Sequence, residues 1–377
     1  MPAPPSASSA TSDATTRPLT PVVSSPSAGT LKSAFALVRS GVVRIQSADC
    51  TTSGQGSGFL LGPDLVVTVA HVVRGAQAVR VMNGTMAAAG EVIGYDDRSD
   101  LALVRSAVRF PGRILAFAAS DPEVGDQVAA VGYTLGSPLS FKPGTVNSTG
   151  RKATIGGITR HGLIELDFAS NHGNSGGPVI DADGNVVGLV DAQTDVMDQQ
   201  GAKSGELQGD RLAVAASVAR PAFERWRVRP EPPSHQPCPQ AVGIDGRPLP
   251  VRDMREDVAT QALQTLEVYF SSLNAGDNPT AVAQLARGMS LADFSDAVKS
   301  TRDSDFRVGD VSLISRKPVV WLRFTSRQDP GDGPQDRPGE ICTRWSLDYH
   351  FSRVNGLWLI DRAVRHGTDP VSMPCPR

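Results

Sequence analysis

The chain of 377 residues has no apolar stretch approaching the roughly eighteen residues that a membrane-spanning helix needs, so no helical span is expected within it. It also has no Walker-type phosphate loop, no His-Glu-x-x-His and no paired Cys-x-x-Cys. Nucleotide chemistry and zinc sites are therefore not indicated, and neither cofactor nor metal is expected. Charge of one sign is missing too: 37 Lys and Arg against 39 Asp and Glu leave a formal charge of −2, with no electrostatic bias toward nucleic acid. Residues 1–30 are Pro, Ser, Ala and Thr with few large apolar groups. Such a segment cannot bury enough surface to offset the entropy of ordering and is expected to be a disordered leader. It lacks the basic start and apolar core of an export signal. Two explanations stay open: the given start lies downstream of such a signal, or the protein stays inside. Arginine far exceeds lysine, and Ala, Gly and Val are abundant, which points to a GC-rich bacterial genome.

Cysteine is scarce but even in number: Cys50, Cys238, Cys342 and Cys375. Cys238 and Cys375 each sit between prolines, where a bridge would staple a linker to the tail. Cys342 is the competing partner, and scattered free thiols are the alternative. A bridge would favour an extracytoplasmic or secreted location.

Among what is present, Gly173-Asn174-Ser175-Gly176-Gly177-Pro178 places one serine between glycines that give a reacting carbonyl access to the backbone. A hydroxyl is a weak nucleophile near neutral pH and needs an adjacent base, and an acyl-transfer intermediate needs N–H donors at its oxyanion. A loop serine could equally be a plain turn. Upstream, His71 follows the strand-like Leu65-Val66-Val67-Thr68, so a strand end is expected to deliver the imidazole. Asp100 begins the apolar run Leu101-Ala102-Leu103-Val104, which would draw its carboxylate inward, while Asp96 and Asp97 suit the preceding turn. Alone, each has an ordinary structural reading; together they supply nucleophile, base and orienting acid. From Gly41 to Gly188 short Val/Ile/Leu-rich runs alternate with Gly, Pro, Asp and Asn, the pattern of an all-β barrel or sandwich. Short helices are expected around 33–39 and 217–226.

The order His71, Asp100, Ser175 is the one used by chymotrypsin, whereas subtilisins and α/β-hydrolases order the three differently. With Gly56-Ser57-Gly58-Phe59, Thr68 to Val73, Asp97 to Leu103, Val131-Gly132-Tyr133, Gly144-Thr145-Val146, Asp167 to Pro178 and Val187-Gly188-Leu189, the stretch of about residues 35–225 resembles the trypsin-like serine proteases, within them the bacterial HtrA/DegP-like branch. The resemblance implies a chymotrypsin fold of two six-stranded β-barrels, with His71 and Asp100 from the first and Ser175 from the second. It implies a serine endopeptidase acting on protein or peptide substrates, with an oxyanion hole at Gly173, Asn174 and Ser175. Counting back from Ser175 puts the base of the primary pocket near Ala169 and Ser170 and its wall near Asp191, Ala192 and Gln193. No acid stands at that base, so a small or medium apolar P1 residue is expected. At that wall Asp191 is the exception, expected chiefly to accept a hydrogen bond near the triad. His172 departs from the proline that often precedes Gly-Asn-Ser in this branch.

Domain limits are expected at 31–228 for the protease, 229–250 for a Pro-rich linker and 251–377 for an accessory domain. No PDZ-like carboxylate-binding loop is visible. Val258, Ala262, Leu263, Leu266, Tyr269, Phe270 and Leu273 recur at helical spacing. Helical stretches at 281–286 and 291–298 follow, then strands at 308–315, 318–326, 341–351 and 357–364, with Asn355-Gly356 as a hairpin turn. This order resembles an NTF2-like or SnoaL-like α+β cone. Trp321, Trp345 and Trp358 are expected in its core or interface, and oligomer or partner contacts are expected through it. An active endopeptidase is the favoured reading. The alternative is a catalytically weak protease-fold binding protein in which the cone does the work.

Overall fold

The computed structural model describes residues 29–49, 53–134, 138–155, 157–168, 173–191, 211–234, 256–334 and 336–376. Helix α1 (Leu31–Val38) opens on a capping box in which Thr30 and Ser33 satisfy each other's backbone N–H. Six strands follow: β1 (Val42–Ala48), β2 (Ser53–Gly62), β3 (Leu65–Thr68), β4 (Ala78–Asn83), β5 (Met86–Asp96) and β6 (Leu101–Ser106), with the one-turn helix α2 (Ala70–Val73) between β3 and β4. They close into an antiparallel barrel in the order β1-β2-β3-β6-β5-β4. Closure leaves no unpaired edge, and Val43, Ile45, Phe59, Leu60, Val81, Leu103 and Val104 are buried completely or nearly so.

A second closed barrel, ordered β10-β11-β12-β9-β8-β7, is built from β7 (Gln127–Tyr133), β8 (Leu139–Ile155), β9 (Ile158–Leu166), β10 (Pro178–Ile180), β11 (Val186–Val190) and β12 (Arg211–Ala215). The two barrels are the chymotrypsin-like arrangement expected. From β12 the chain enters α3 (Ala216–Val228), which crosses back to the first barrel. There Trp226 lies flat on Gly94 of β5, so closely that a Cβ at Gly94 would come within 2.3 Å of the indole. The Trp226 indole N–H donates to Glu231 at 2.9 Å.

The C-terminal unit contains α4 (Glu256–Ala275), α5 (Asn278–Val282), α6 (Leu291–Ala297) and the strands β13 (Arg302–Ile314), β14 (Lys317–Arg327), β15 (Cys342–Val354), β16 (Leu357–Arg365) and β17 (Ser372–Pro374). The sheet runs β13-β14-β15-β16, with β17 also on β15. Ala259, Ala262, Leu263, Leu266 and Phe270 form one stripe of α4 at helical spacing, packed on Val320, Leu322, Phe324, Tyr349, Phe351 and Ile360. Trp358 is buried in that core and Trp345 packs against it, whereas Trp321 stacks on His366 with ring centres 3.9 Å apart. The helix expected at 281–286 is shorter than its pattern: α5 ends at Val282, and the next residues pair with β16 through Ile360 N–H to Gln284 O (2.9 Å) and Ala286 N–H to Ile360 O (2.7 Å). The competing cysteine partner is the one realised, since Cys342 bridges Cys375. Cys50 and Cys238 lie outside the described residues.

This unit rests on the first barrel. Arg44 of β1 pairs with Asp277 and donates to Thr280 (2.7 Å), and Arg80 of β4 donates to Thr265 (2.6 Å) and to Gln284. A small apolar cluster, Met82 and Ala87 with Ala283, Leu357 and Leu359, completes the seam. On a bare barrel Arg44 and Arg80 would face water; here they are 4% and 0% exposed.

Candidate active site

His71 sits on α2, the single helical turn after β3, and not on the strand end that the sequence suggested. Val69 is extended and the chain then turns at Ala70, so the imidazole projects from the first barrel while Ala70, Val72 and Val73 anchor the turn in its core. Asp100 precedes β6 with φ of +54°, a left-handed conformation that a short polar side chain tolerates better than most. That twist turns its carboxylate inward, where it is fully buried. It accepts two hydrogen bonds from one residue: the His71 main-chain N–H at 2.9 Å and His71 Nδ1 at 2.7 Å. Two contacts fix the ring's position and favour the tautomer with the proton on Nδ1, leaving Nε2 free to act as a base. Asp96 holds the preceding turn by accepting from the Arg98 N–H at 3.0 Å.

The serine turn between β9 and β10 packs against β2. Ser57 donates its hydroxyl to the Gly173 carbonyl (2.7 Å), and its main-chain N–H binds the Ser175 carbonyl (2.8 Å). The Asn174 carbonyl accepts from the Gly177 N–H at 2.9 Å, which fixes the 174–175 peptide and so the direction of the Ser175 N–H. Asn174 is buried, and its side-chain oxygen takes a bond from Ser140 at 3.3 Å. Gly176 cannot be replaced cheaply: its φ is +83°, and a Cβ there would lie 2.3 Å from the Ser57 carbonyl oxygen and from Thr68 Oγ1.

The hydroxyl of Ser175 donates to the main-chain carbonyl of Asp191 at 3.0 Å. Among the described residues no Ser175–His71 hydrogen bond is present, so the acid–base half is joined while the serine is turned aside. Asp191, expected at the wall of a substrate pocket and chiefly as a hydrogen-bond acceptor near the triad, is wholly buried and directs its carboxylate away from solvent. It accepts from Arg160 of β9, whose guanidinium also lies 3.1 Å from Asp100 Oδ2. Burial and the charge of Asp100 push the Asp191 carboxyl up to about 7, with Arg160 opposing. Burial alone would raise Asp100 as well, but the hydrogen bond and charge of His71, then the charge of Arg160, hold it below the usual carboxylate range.

Ala169, Ser170, His172, Ala192 and Gln193 lie outside the described residues. Sequence reasoning missed Arg160. It stands in an ordinary strand run, Ile158-Thr159-Arg160-His161, and nothing local marks it as an interior cation. The ring nitrogens of His71 and the carboxylates of Asp100 and Asp191 could together offer three ligand atoms within 4.8 Å, but the guanidinium between the two acids already supplies the positive charge a metal would bring.

Residues 56–189 match the family described as the trypsin-like peptidase domain. The chain is similar to the serine protease Do-like HtrA of Bacillus subtilis, with 35% identity over 155 residues covering 38% of this chain and 34% of that protein. It is 37% identical over 178 residues to the probable periplasmic serine endoprotease DegP-like of Brucella suis, covering 45% of this chain and 32% of that one. The chain thus spans about a third of the length of these curated relatives. Among solved structures, the active form of the Rv3671c protease of M. tuberculosis aligns with TM-score 0.46 and 24% identity, over 59% of this chain and 97% of that one.

Proposed function

From the premise that residues 56–189 are a trypsin-like peptidase domain of the HtrA/DegP type, we propose that the protein is a serine endopeptidase that hydrolyses peptide bonds in protein or peptide substrates. The observation that carries this reading is the Asp100–His71 pair, bonded at two atoms, set beside a glycine-flanked serine at the junction of two barrels. In the proposed cycle a rotation about the Ser175 side chain breaks its bond to the Asp191 carbonyl and brings Oγ to His71 Nε2. His71 takes the hydroxyl proton as Oγ attacks the scissile carbonyl, and returns it to the leaving amine; water repeats the sequence to release the acid. Asp100 holds the tautomer and stabilises the imidazolium. The N–H groups of Gly173 and Ser175, with Asn174 shaping the turn, stabilise the oxyanion, a contribution typically worth about 100- to 1,000-fold per donor.

The same reading assigns a small or medium apolar P1 residue, in a pocket near Ala169, Ser170, Ala192 and Gln193. It places the protease at 31–228, the linker at 229–250 and an NTF2-like accessory domain at 251–377, used for targeting, oligomerisation or substrate capture. The Cys342–Cys375 bridge favours an oxidising, extracytoplasmic location. A second reading rests on one observation: Ser175 bonded away from His71 is also what a catalytically weak binding protein would show. The two separate on cleavage of an unfolded protein substrate. The wild type is expected to cut it with fragments ending after apolar residues, and Ser175→Ala to be folded and inert. A folded wild type that leaves the substrate intact supports the binding-protein reading, and cuts confined to Arg or Lys overturn the pocket assignment.

A further inference from the structure

Behind His71 the protein buries three charged side chains in one place: Asp100 and Asp191 are fully buried and Arg160 is 3% exposed. Two carboxylates this close repel each other, and removing them from water is costly unless a cation bridges them. Arg160 does so with one nitrogen, Nη1, which reaches Asp100 Oδ2 at 3.1 Å and also Asp191 Oδ1. Asp191 in turn is tied to the serine side of the site. Its N–H binds the Leu212 carbonyl (2.9 Å), its carbonyl accepts the Ser175 hydroxyl (3.0 Å), and the preceding residue Val190 exchanges hydrogen bonds with Gly176 (2.8 Å) and Gly177 (2.9 Å). A single residue therefore touches the serine through its main chain and the acid through its side chain.

We propose that Arg160 and Asp191 are positioning residues for the hydrolysis, holding Asp100 in the orientation in which it accepts the hydrogen bond from His71 Nδ1–H. The proposal rests on the serine-endopeptidase reading of the same site. Asp191 Oδ2 is buried with no donor to accept from, and the Asp191 and Asp100 carboxyl groups lie within hydrogen-bond reach of each other, an arrangement costly for two carboxylates and suited to Asp191 as a carboxylic acid that donates to Asp100. The charged and titratable groups that face it are Asp100 ahead of β6, Arg160 on β9 and, beyond Asp100, His71 on α2. With Asp191 protonated, the charges of Asp100 and Arg160 balance. Loss of that proton, near pH 7 by the burial and charge effects described above, adds a negative charge that favours an imidazolium on His71. Asp191 thus acts on the Asp100–His71 pair through Asp100, and Arg160 fixes the geometry through which it acts.

The test follows the rate of Ser175 modification by a fluorophosphonate from pH 5 to 9 in the full chain, together with the downfield proton resonance of the His71 Nδ1–H. Asp191→Asn keeps an acceptor for Arg160 and a donor toward Asp100 but cannot ionise. It is expected to stay within about tenfold of the wild-type rate while its profile moves to lower pH and loses its second ionisation. Arg160→Lys carries its nitrogen on a shorter and more flexible stem that does not hold it at the Nη1 position between the two carboxylates, and is expected to slow labelling by roughly 10- to 100-fold and to broaden or lose the His71 signal. Folded Asp191→Asn and Arg160→Lys proteins with the wild-type pH profile and the wild-type proton signal would overturn the proposal. A wild type that shows the His71 signal but takes no label would sink the endopeptidase reading instead, and the positioning role would then be decided by whether the two variants shift that signal.

Discussion

Arg160 in the active site and Arg80 at the seam with the C-terminal unit are both buried, at 3% and 0% exposure, yet their surroundings differ in kind. Arg160 touches two carboxylates, so its charge is part of a compensated cluster. Arg80 donates to the neutral Gln284 and Thr265, and burial pulls its pKa from 12.5 down to about 9, with the charge of Glu267 opposing. The contrast separates two uses of a buried cation. In the site the charge is needed because removing it strands two acids. At the seam the hydrogen bonds position one unit on the other, and the charge itself is a liability.

The comparison breaks most sharply at Arg160. Arg160→Met leaves both carboxylates without their cation and is expected to cost roughly 3–5 kcal/mol of unfolding free energy, read as a lowered urea midpoint. A loss under about 1 kcal/mol would mean that the cluster is not held by charge.

The pH dependence of stability comes next. Asp191 carries a raised pKa in the folded chain, so the native state binds a proton that the unfolded chain releases near pH 4. Its contribution is fully present below about pH 4 and is lost as pH rises to about 7, on the order of 2–4 kcal/mol. Asp303, raised to about 6 by burial against the bond from Ser326, acts in the same direction between about pH 4 and 6. Asp100 has the opposite sign, since its lowered pKa contributes stability above the unfolded carboxylate value and loses it as pH falls. Asp191→Asn should flatten the decline between pH 6 and 7 while leaving the part due to Asp303. Urea titrations at half-unit pH steps read this directly, and an unchanged slope would contradict it.

The smallest effect belongs to the seam. Arg80→Met is expected to cost about 1–3 kcal/mol, the penalty for leaving the Gln284 side-chain oxygen buried without a donor. Adding Gln284→Leu should recover much of that loss, because an apolar pair can replace a buried polar one at little cost. If Arg80→Met costs as much as Arg160→Met and the second substitution recovers nothing, the two cations are alike and the comparison fails.

What the sequence made legible follows from how local each signal was. The barrels show as short apolar runs with turn residues between them, and His71, Asp100 and Ser175 stand in runs whose residue types and order can be read along the chain. Structure refined His71 from a strand end to α2 because a four-residue helix is too short to impose a period. The α4 stripe was readable over about four turns, whereas the end of α5 was not: its following residues leave the helix to pair with β16, a contact decided about 75 residues away in the chain. Arg160 belongs to the same class, and so does its pairing with Asp191, for which chain order predicts an acceptor near the triad but not the cation it accepts from. One comes from β9 and the other from the end of β11, and only the closed barrel brings their side chains together beneath Asp100. An arginine in a strand reads as a solvated face until its neighbours are known.

The central claim is that Ser175 is a nucleophile activated by His71, and mass spectrometry of the intact protein after fluorophosphonate treatment tests it most directly. One phosphonate per chain is expected, located on Ser175, formed by the wild type and by neither Ser175→Ala nor His71→Ala at matched folding. An adduct on another residue, equal labelling of all three proteins, or a folded wild type that gains no mass would contradict it.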